Sequence, residues 1–309
     1  MEGDEYEAWK QIREHIKYLE LREYIRDSYT DKGYFMDMFK LEKLELPKYG
    51  MKVGNGDEDC QYYFANAGQL KTITIWSDKK NDPVDITDNV VTDKILLDRV
   101  GKYMFSNCYS LSTKYINRLI KNVTEIKNNA FRADEGNRDK FSDEADNKMA
   151  IEIPSSVTKI GDLAFYNRVK VTGLNIQGNG CLEIGFEAFR GCDELANITL
   201  DNITQDKKEL RIYKNAFRRC QQLNAFENLD KAKITYLGTG VFGDCRSMTN
   251  EFVNGVLQNY ADNGGKKIPA YLFFGCNGQD GHDGTDKNKN VCSFTDLNIP
   301  AQFTEIGDG

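Results

Sequence analysis

The residues whose types could bind a metal ion gather in NGQDGHDGTDKNKN (277–290), where Asp280, Asp283, Asp286, Asn288 and Asn290 all carry oxygen donors. Calcium chemistry is the natural test, because Asp286, Asn288 and Asn290 alternate as the first ligands of a calcium loop do. The pattern then fails: the sixth and twelfth positions need Gly and Glu and hold Val291 and Leu297. The segment reads as a solvated loop, and so does the mixed-charge stretch RADEGNRDKFSDEADNKM (132–149). Only His15 and His282 could serve as a neutral-pH base. Neither sits near a nucleophile motif, and no GxSxG, phosphate loop or HExxH occurs. The sequence therefore names no catalytic residue, no metal ligand and no cofactor, and the chain is expected not to be an enzyme.

Eight cysteines remain as candidates for redox or zinc chemistry. No CxxC pair is present. What the cysteines do share is a position. In IGFEAFRGCDELANITL (184–200), with Phe189 as origin, Ile184 lies five before, Gly185 four before, Cys192 three after, Leu195 six after, and Ile198 and Leu200 nine and eleven after. The same spacing recurs around Phe35, Phe64, Phe105, Phe131, Phe165, Phe217, Phe242 and Phe273. Cys108, Cys192, Cys220, Cys245 and Cys276 all fall three after a Phe, and Arg168 takes that seat after Phe165. Repeated seats in stacked coils imply buried cysteines acting as small apolar side chains.

Nine registers at a mean spacing of roughly 30 residues mark a solenoid, with insertions looped out between fixed units. The elements that carry the pattern are short strands. LEKLELP, LKTITIW, AIEIP, LANITL and DLNIP alternate with period two, and Pro47, Pro154 and Pro300 close three of them. SSVTKIG (155–161) then leads to the next Ala-Phe, its Gly suiting a tight or positive-φ turn. Residues 4–30 lack the pattern but show helical stripes, Trp9, Ile12, Ile16, Leu19 and then Leu21, Ile25, Tyr29, as expected of a bent helix or two helices capping the first coil. The organisation expected is a cap over 1–33 and a solenoid over 34–309, its last repeat incomplete. FTEIGDG (303–309) matches VTKIGDL (157–163), so the next Phe would fall at 311, and residues after Pro300 are expected to pack poorly.

IPSSVTKIGDLAF (153–165) and IGFEAFRGCDELANITL together resemble the BspA-like leucine-rich repeat family of bacterial surface proteins, over roughly residues 35–307. The resemblance implies a right-handed superhelix with one short parallel strand per repeat and an N-terminal helical cap. It also implies an exported, cell-surface binding scaffold whose partner is a host or bacterial surface protein. It supplies no catalytic residues.

The partner-binding candidates are the outward positions of the strands: Glu45, Thr74, Trp76, Glu152, Asn175, Gln177, Asn197, Thr199, Asp201, Glu227 and Asn298. They form a mildly acidic, hydrogen-bonding strip with a single large aromatic. A glycan is the alternative ligand, Trp76 being the obvious ring to stack on a sugar, and a structural spacer for a further domain is the other rival. Net charge is −7 and Lys and Arg form no dense run, which argues against nucleic acid. No apolar run approaches a membrane span, and the opening MEGDEYEAWK does not read as a secretory signal.

Overall fold

The computed structural model describes residues 3–22, 33, 35–51, 61–91, 95–141, 148–204, 206–276, 294 and 296–308. His282, the oxygen-rich loop 277–290 and the second apolar stripe beyond Leu21 lie outside the described residues. The described chain is a parallel-strand solenoid. Helix α1 (Gly3–Arg13) precedes strands β1 (Tyr18–Glu20), β2 (Lys43–Leu46), β3 (Thr72–Ser77) and β4 (Asp82–Asp85). Helix α2 (Thr113–Ile120) follows, then β5 (Glu125–Ile126), β6 (Ala150–Ile153), β7 (Lys159–Ile160), β8 (Gly173–Gln177), β9 (Cys181–Ile184) and β10 (Asn197–Asp201). The remainder is β11 (Lys208–Ile212), β12 (Ala225–Glu227), β13 (Ala232–Leu237), α3 (Asn250–Asp262), β14 (Lys267–Ile268) and β15 (Glu305–Ile306).

The strands named by the period-two alternation stack where the spacing places them. β6, β8, β10 and β12 form one parallel sheet, with Ile151, Leu174 and Ile198 in one row and Ile153, Ile176 and Leu200 in the next. These rows are buried, while the alternate positions are mostly half-exposed. A second strand per coil, where the spacing predicts a turn, comes from the Val-Thr-x-Ile-Gly segments and their counterparts. β5, β7, β9, β11 and β13 form their own parallel sheet. Where a Gly follows these strands, crowding rather than positive φ explains it: a Cβ on Gly161, Gly185 or Gly238 would come within 2.8 Å of backbone of the preceding coil.

Between the sheets runs a column of phenylalanine rings. Phe35, Phe64, Phe105, Phe131, Phe165, Phe189, Phe217, Phe242 and Phe273 stack in order, each 5.0–6.0 Å from the next. All seven from Phe64 to Phe242 are fully buried. Offset stacking of this kind adds to area burial. Beside it runs the cysteine column. Each thiol donates to the carbonyl of the Phe one coil earlier: Cys108 to Phe64 (3.1 Å), Cys192 to Phe165 (3.3 Å), Cys220 to Phe189 (3.2 Å), Cys245 to Phe217 (3.1 Å) and Cys276 to Phe242 (2.9 Å).

The N-terminal helix is shorter than the stripes suggested. It ends at Arg13, and Leu19 belongs to β1, which pairs in parallel with β2. Arg13 is buried and closes a polar ladder with its Nη2 on Asp37 (3.1 Å). The ladder continues from Asp37 to Asn66 (2.7 Å), Asn107 (2.8 Å) and Asp134 (2.9 Å). In two coils the expected strand is instead a helix. α2 follows Phe105 and α3 follows Phe242, each burying an apolar stripe: Ile116, Leu119 and Ile120 in the first, Phe252, Val253, Val256 and Leu257 in the second. At the far end β15 still pairs with β14, while Leu297, Ile299 and Ile306, on seats that are buried in inner coils, are 45, 49 and 66 % exposed.

Candidate interaction surface

The strand positions predicted to face outward divide into three groups. The central group is contiguous. Glu152, Asn175, Thr199 and Glu227 lie side by side across β6, β8, β10 and β12, with Gln177 beside Asp201 one step along. Parallel register puts them in rows, and the rows are cross-linked. Asn175 Nδ2 and Gln177 Nε2 both donate to the Glu152 carboxylate (2.7 and 3.1 Å), Thr199 Oγ1 donates to Glu227 (3.1 Å), and Asn197 Nδ2 reaches Thr199 (3.1 Å). Two carboxylates therefore end a row of amides and a hydroxyl. Asp201 and Glu227 are exposed and the others half-exposed.

The first sheet behaves differently. Glu45 and Thr74 occupy outward strand positions yet are buried, 8 and 6 % exposed. Tyr18 of β1 donates to Glu45 (2.5 Å), and this bond with its carboxylate raises the Tyr18 pKa to about 12. β4 turns back antiparallel onto β3, pairing Thr74 with Asp85 and Trp76 with Pro83. Tyr115 of α2 hydrogen-bonds Asp85, and burial raises its pKa. Trp76 is half-buried in this hairpin, so it is not the open stacking platform its outward position suggested. Asn298 stands apart, exposed, with its N–H held by Asn254 of α3 (2.9 Å).

The spacing missed the residues that bound the strip. Asn117 of α2 donates from Nδ2 to Ala150 O (2.8 Å) and accepts at Oδ1 from Glu152 N–H (3.0 Å), closing the edge of β6 as a neighbouring strand would. Asn254, twelve after Phe242 as Asn117 is twelve after Phe105, does the same for Asp296 O and Asn298 N–H. Asn259 repeats the device on Ala232 O and Ile234 N–H. The signal that could have found these helices is the switch of apolar period from two to 3.6 immediately after the register.

Where α2 meets β6 and β8 lies a cleft of about 500 Å³ lined by Lys114, Arg118 and Lys121 on one side and Glu152, Ser155 and Gln177 on the other. Arg118 is itself buried, its guanidinium fixed on Ile86 O (2.9 Å) and Val91 O. The strip thus runs from exposed carboxylates at β10 and β12 to a cationic wall at α2. Such a surface offers many hydrogen bonds and charges of both signs.

Among the described residues, nucleophiles and bases are not brought together. His15 Nδ1 faces Lys40 Nζ (3.4 Å), and the five ladder cysteines are buried. Among the described residues no group of three His, Cys, Asp or Glu could hold a metal ion, and no helix is long and apolar enough to cross a membrane.

Comparison with known proteins places the repeat. Among solved structures, the chain is similar to a leucine-rich repeat protein of T. pallidum (17 % identity, 82 % of this chain and 80 % of that one, TM-score 0.41). It is similar also to one from Bacteroides ovatus (16 %, 95 % and 75 %, TM-score 0.35) and to a leucine rich cell surface protein of Faecalibacterium prausnitzii (16 %, 84 % and 73 %, TM-score 0.34). Curated proteins gave no match. The BspA type Leucine rich repeat region matches in six copies, over residues 31–138 and 135–278. Those residues hold the Phe and Cys columns described above, and the chain belongs to the BspA-type leucine-rich repeat family.

Proposed function

We propose that the chain is a non-catalytic binding scaffold of an exported bacterial protein, taking a host or bacterial surface protein on the strand face. The cap over 1–33 and the solenoid over 34–309 serve as its end piece and its recognition body. The observation that carries this reading is the continuous row Glu152–Asn175–Thr199–Glu227 adjoining the cationic cleft at α2. A rigid sheet holds these groups in fixed register, so little ordering entropy is lost on contact. Gln177, Asn197 and Asp201 complete the contact surface. Glu45 and Thr74 support the sheet from within, and Trp76 and Asn298 lie at its margins.

The test is capture of labelled bacterial and host surface proteins by the wild-type chain and by Asn175→Arg and Thr199→Arg, both on half-exposed positions. Wild-type capture that both variants lose, with melting unchanged, supports the reading. Capture that survives both changes moves the interface elsewhere, and no capture from any surface preparation favours a spacer.

A further inference from the structure

From Phe131 to Phe273, the loops that carry the Phe column hold two positions per coil beside the ring, one residue after it and two residues before it, and these are buried to half-exposed in the inner coils. After the ring these are Arg132, Tyr166, Arg190, Arg218 and Phe274, except in the Phe242 coil, where the residue is Gly243. Before the ring they are Asn129, Leu163, Glu187, Asn215 and Tyr271, except again in the Phe242 coil, where the residue is Gly240. One coil therefore lacks both, leaving a slot of about 380 Å³. Backbone strain does not demand this. The position two before the ring is left-handed in neighbouring coils too, yet Asn215 (φ 57°) and Tyr271 (φ 55°) occupy it. A Cβ on Gly243 would meet only backbone oxygens at 3.4–3.6 Å, which is ordinary contact.

We propose that this slot binds a neutral pyranose unit of a glycan, a function separate from the protein contact assigned to the strand face. One wall is aromatic: Tyr271 and Phe274, 5.8 Å apart and edge-to-face, are 49 and 38 % exposed. The opposite wall is polar: Lys214, Asn215 and Arg218, with Thr239 beside them. Asn215 spends its Nδ2 on Glu187 (3.2 Å), and its Oδ1 lies 2.4 Å from where a Gly240 Cβ would stand, so an acceptor faces the slot. Arg218 is anchored on Asp244 through Nε and Nη2, both at 2.9 Å, which balances its charge and fixes its direction.

That donor and acceptor set selects the ligand. An apolar peptide side chain would leave Asn215 Oδ1 and the cationic donors unmatched. A carboxylate would meet the Asn215 oxygen with another oxygen. Hydroxyls donate and accept at once, and a pyranose adds an apolar C–H face for the two rings. The volume falls within the range of small-ligand sites.

Titration of the wild-type chain with a panel of neutral hexopyranosides, followed by ring resonances of Tyr271 and Phe274, tests this. At least one neutral sugar should shift both rings at millimolar concentration. Gly243→Val, which fills the slot, and Phe274→Ala, which removes a wall, should each weaken binding by roughly tenfold or more, while Gly243→Val keeps the wild-type melting temperature. The strand-face variant Thr199→Arg should bind sugar as wild type does, which separates failure here from failure of the protein-binding reading. No ring shift with any neutral sugar, undiminished binding by Gly243→Val, or a response only to acidic sugars or peptides would overturn the proposal.

Discussion

Arg168 donates from Nε to the carbonyl of Phe131 at 2.9 Å, the bond that a cysteine thiol makes in five other coils. The substitution therefore keeps the rule of the column with a different donor. Arg168 goes further: a terminal nitrogen reaches Cys108 O at 3.1 Å, and the guanidinium lies over the Phe141 ring at 5.3 Å. Burial lowers its pKa to about 10. Arg168→Ala should destabilise by about 3–5 kcal/mol, since it strips the donor from the buried Phe131 carbonyl, leaves Cys108 O with the Leu111 N–H alone and opens a cavity under Phe141. Arg168→Cys should cost less, because the bond to Phe131 can re-form. Urea melts of the two variants compare them directly, and equal losses would show that the shared hydrogen bond contributes nothing.

Phe189 sits 5.0 Å from Phe165 and 5.5 Å from Phe217, with no exposed surface. Truncation to Ala removes transfer energy and two ring contacts, and the neighbouring coils are held by their own strands and cannot collapse into the space. A loss of about 3–5 kcal/mol follows. Thermal or chemical unfolding checks it, and an unmoved transition would contradict the buried column.

Native labelling should distinguish the cysteines by place. Cys181 on β9 is exposed and should react with a thiol reagent readily, whereas Cys108, Cys192, Cys220, Cys245 and Cys276 should not until the chain unfolds. Full denaturation should then expose all eight. Mass spectrometry of labelled peptides reads the order, and early modification of Cys192 or Cys220 would be the opposing result.

The same burial sets an alkaline limit. The Cys108 thiol is pushed up from 9.0 to about 12, and burial raises Cys220 and Cys245 as well. A raised folded pKa means the unfolded chain releases the proton first. The stabilising contribution is thus intact below about pH 9 and drains away as pH climbs towards 12. Arg168 and Lys208 have the opposite sign, because their lowered pKa values favour the fold as they lose their protons, but they stand against the three thiols and the raised phenols of Tyr18, Tyr109, Tyr115, Tyr166 and Tyr260. Unfolding midpoints should fall steadily from about pH 9 upward, and Cys220→Ser should not flatten that slope by more than its own share.

How far the sequence could be read depends on what each residue answers to. The Phe and Cys seats were legible because every coil must fill the same space, so the same side chain returns at the same offset. Glu45 and Thr74 were misplaced because Glu45 is bonded by Tyr18 of β1 and Thr74 is paired with Asp85 of the returning strand β4, which Tyr115 of α2 holds, all elements outside the repeated unit. The second sheet was missed because its strands are only two residues long in places, as at Lys159–Ile160, too short for alternation to show. The glycines at 240 and 243 can be read from the spacing, but the slot itself, walled by Tyr271 and Phe274 of the next coil, needs the structure. In a single sequence two glycines near a Phe look like ordinary turn residues.

Asn117 offers the sharpest test of how the strand face is bounded. Its amide gives one donor to Ala150 O and one acceptor to Glu152 N–H, so a carbonyl and an N–H at the edge of β6 are both satisfied by a single side chain. Asn117→Ala removes both bonds beside the cleft and should cost about 1–3 kcal/mol. Asn117→Asp keeps the acceptor but places a second oxygen against Ala150 O, so it should be at least as damaging despite its similar shape. Asn117→Gln carries the same amide on a longer stem and should fall short of wild type because the two-residue spacing of the strand groups is no longer matched. Hydrogen exchange at the Glu152 amide gives the local readout: fast in Ala, slow in wild type, and still protected in Asp. If Asn117→Ala leaves Glu152 exchange and global stability unchanged, the edge is closed by something other than this asparagine, and the matching arrangement at Asn254 loses its meaning as a shared device.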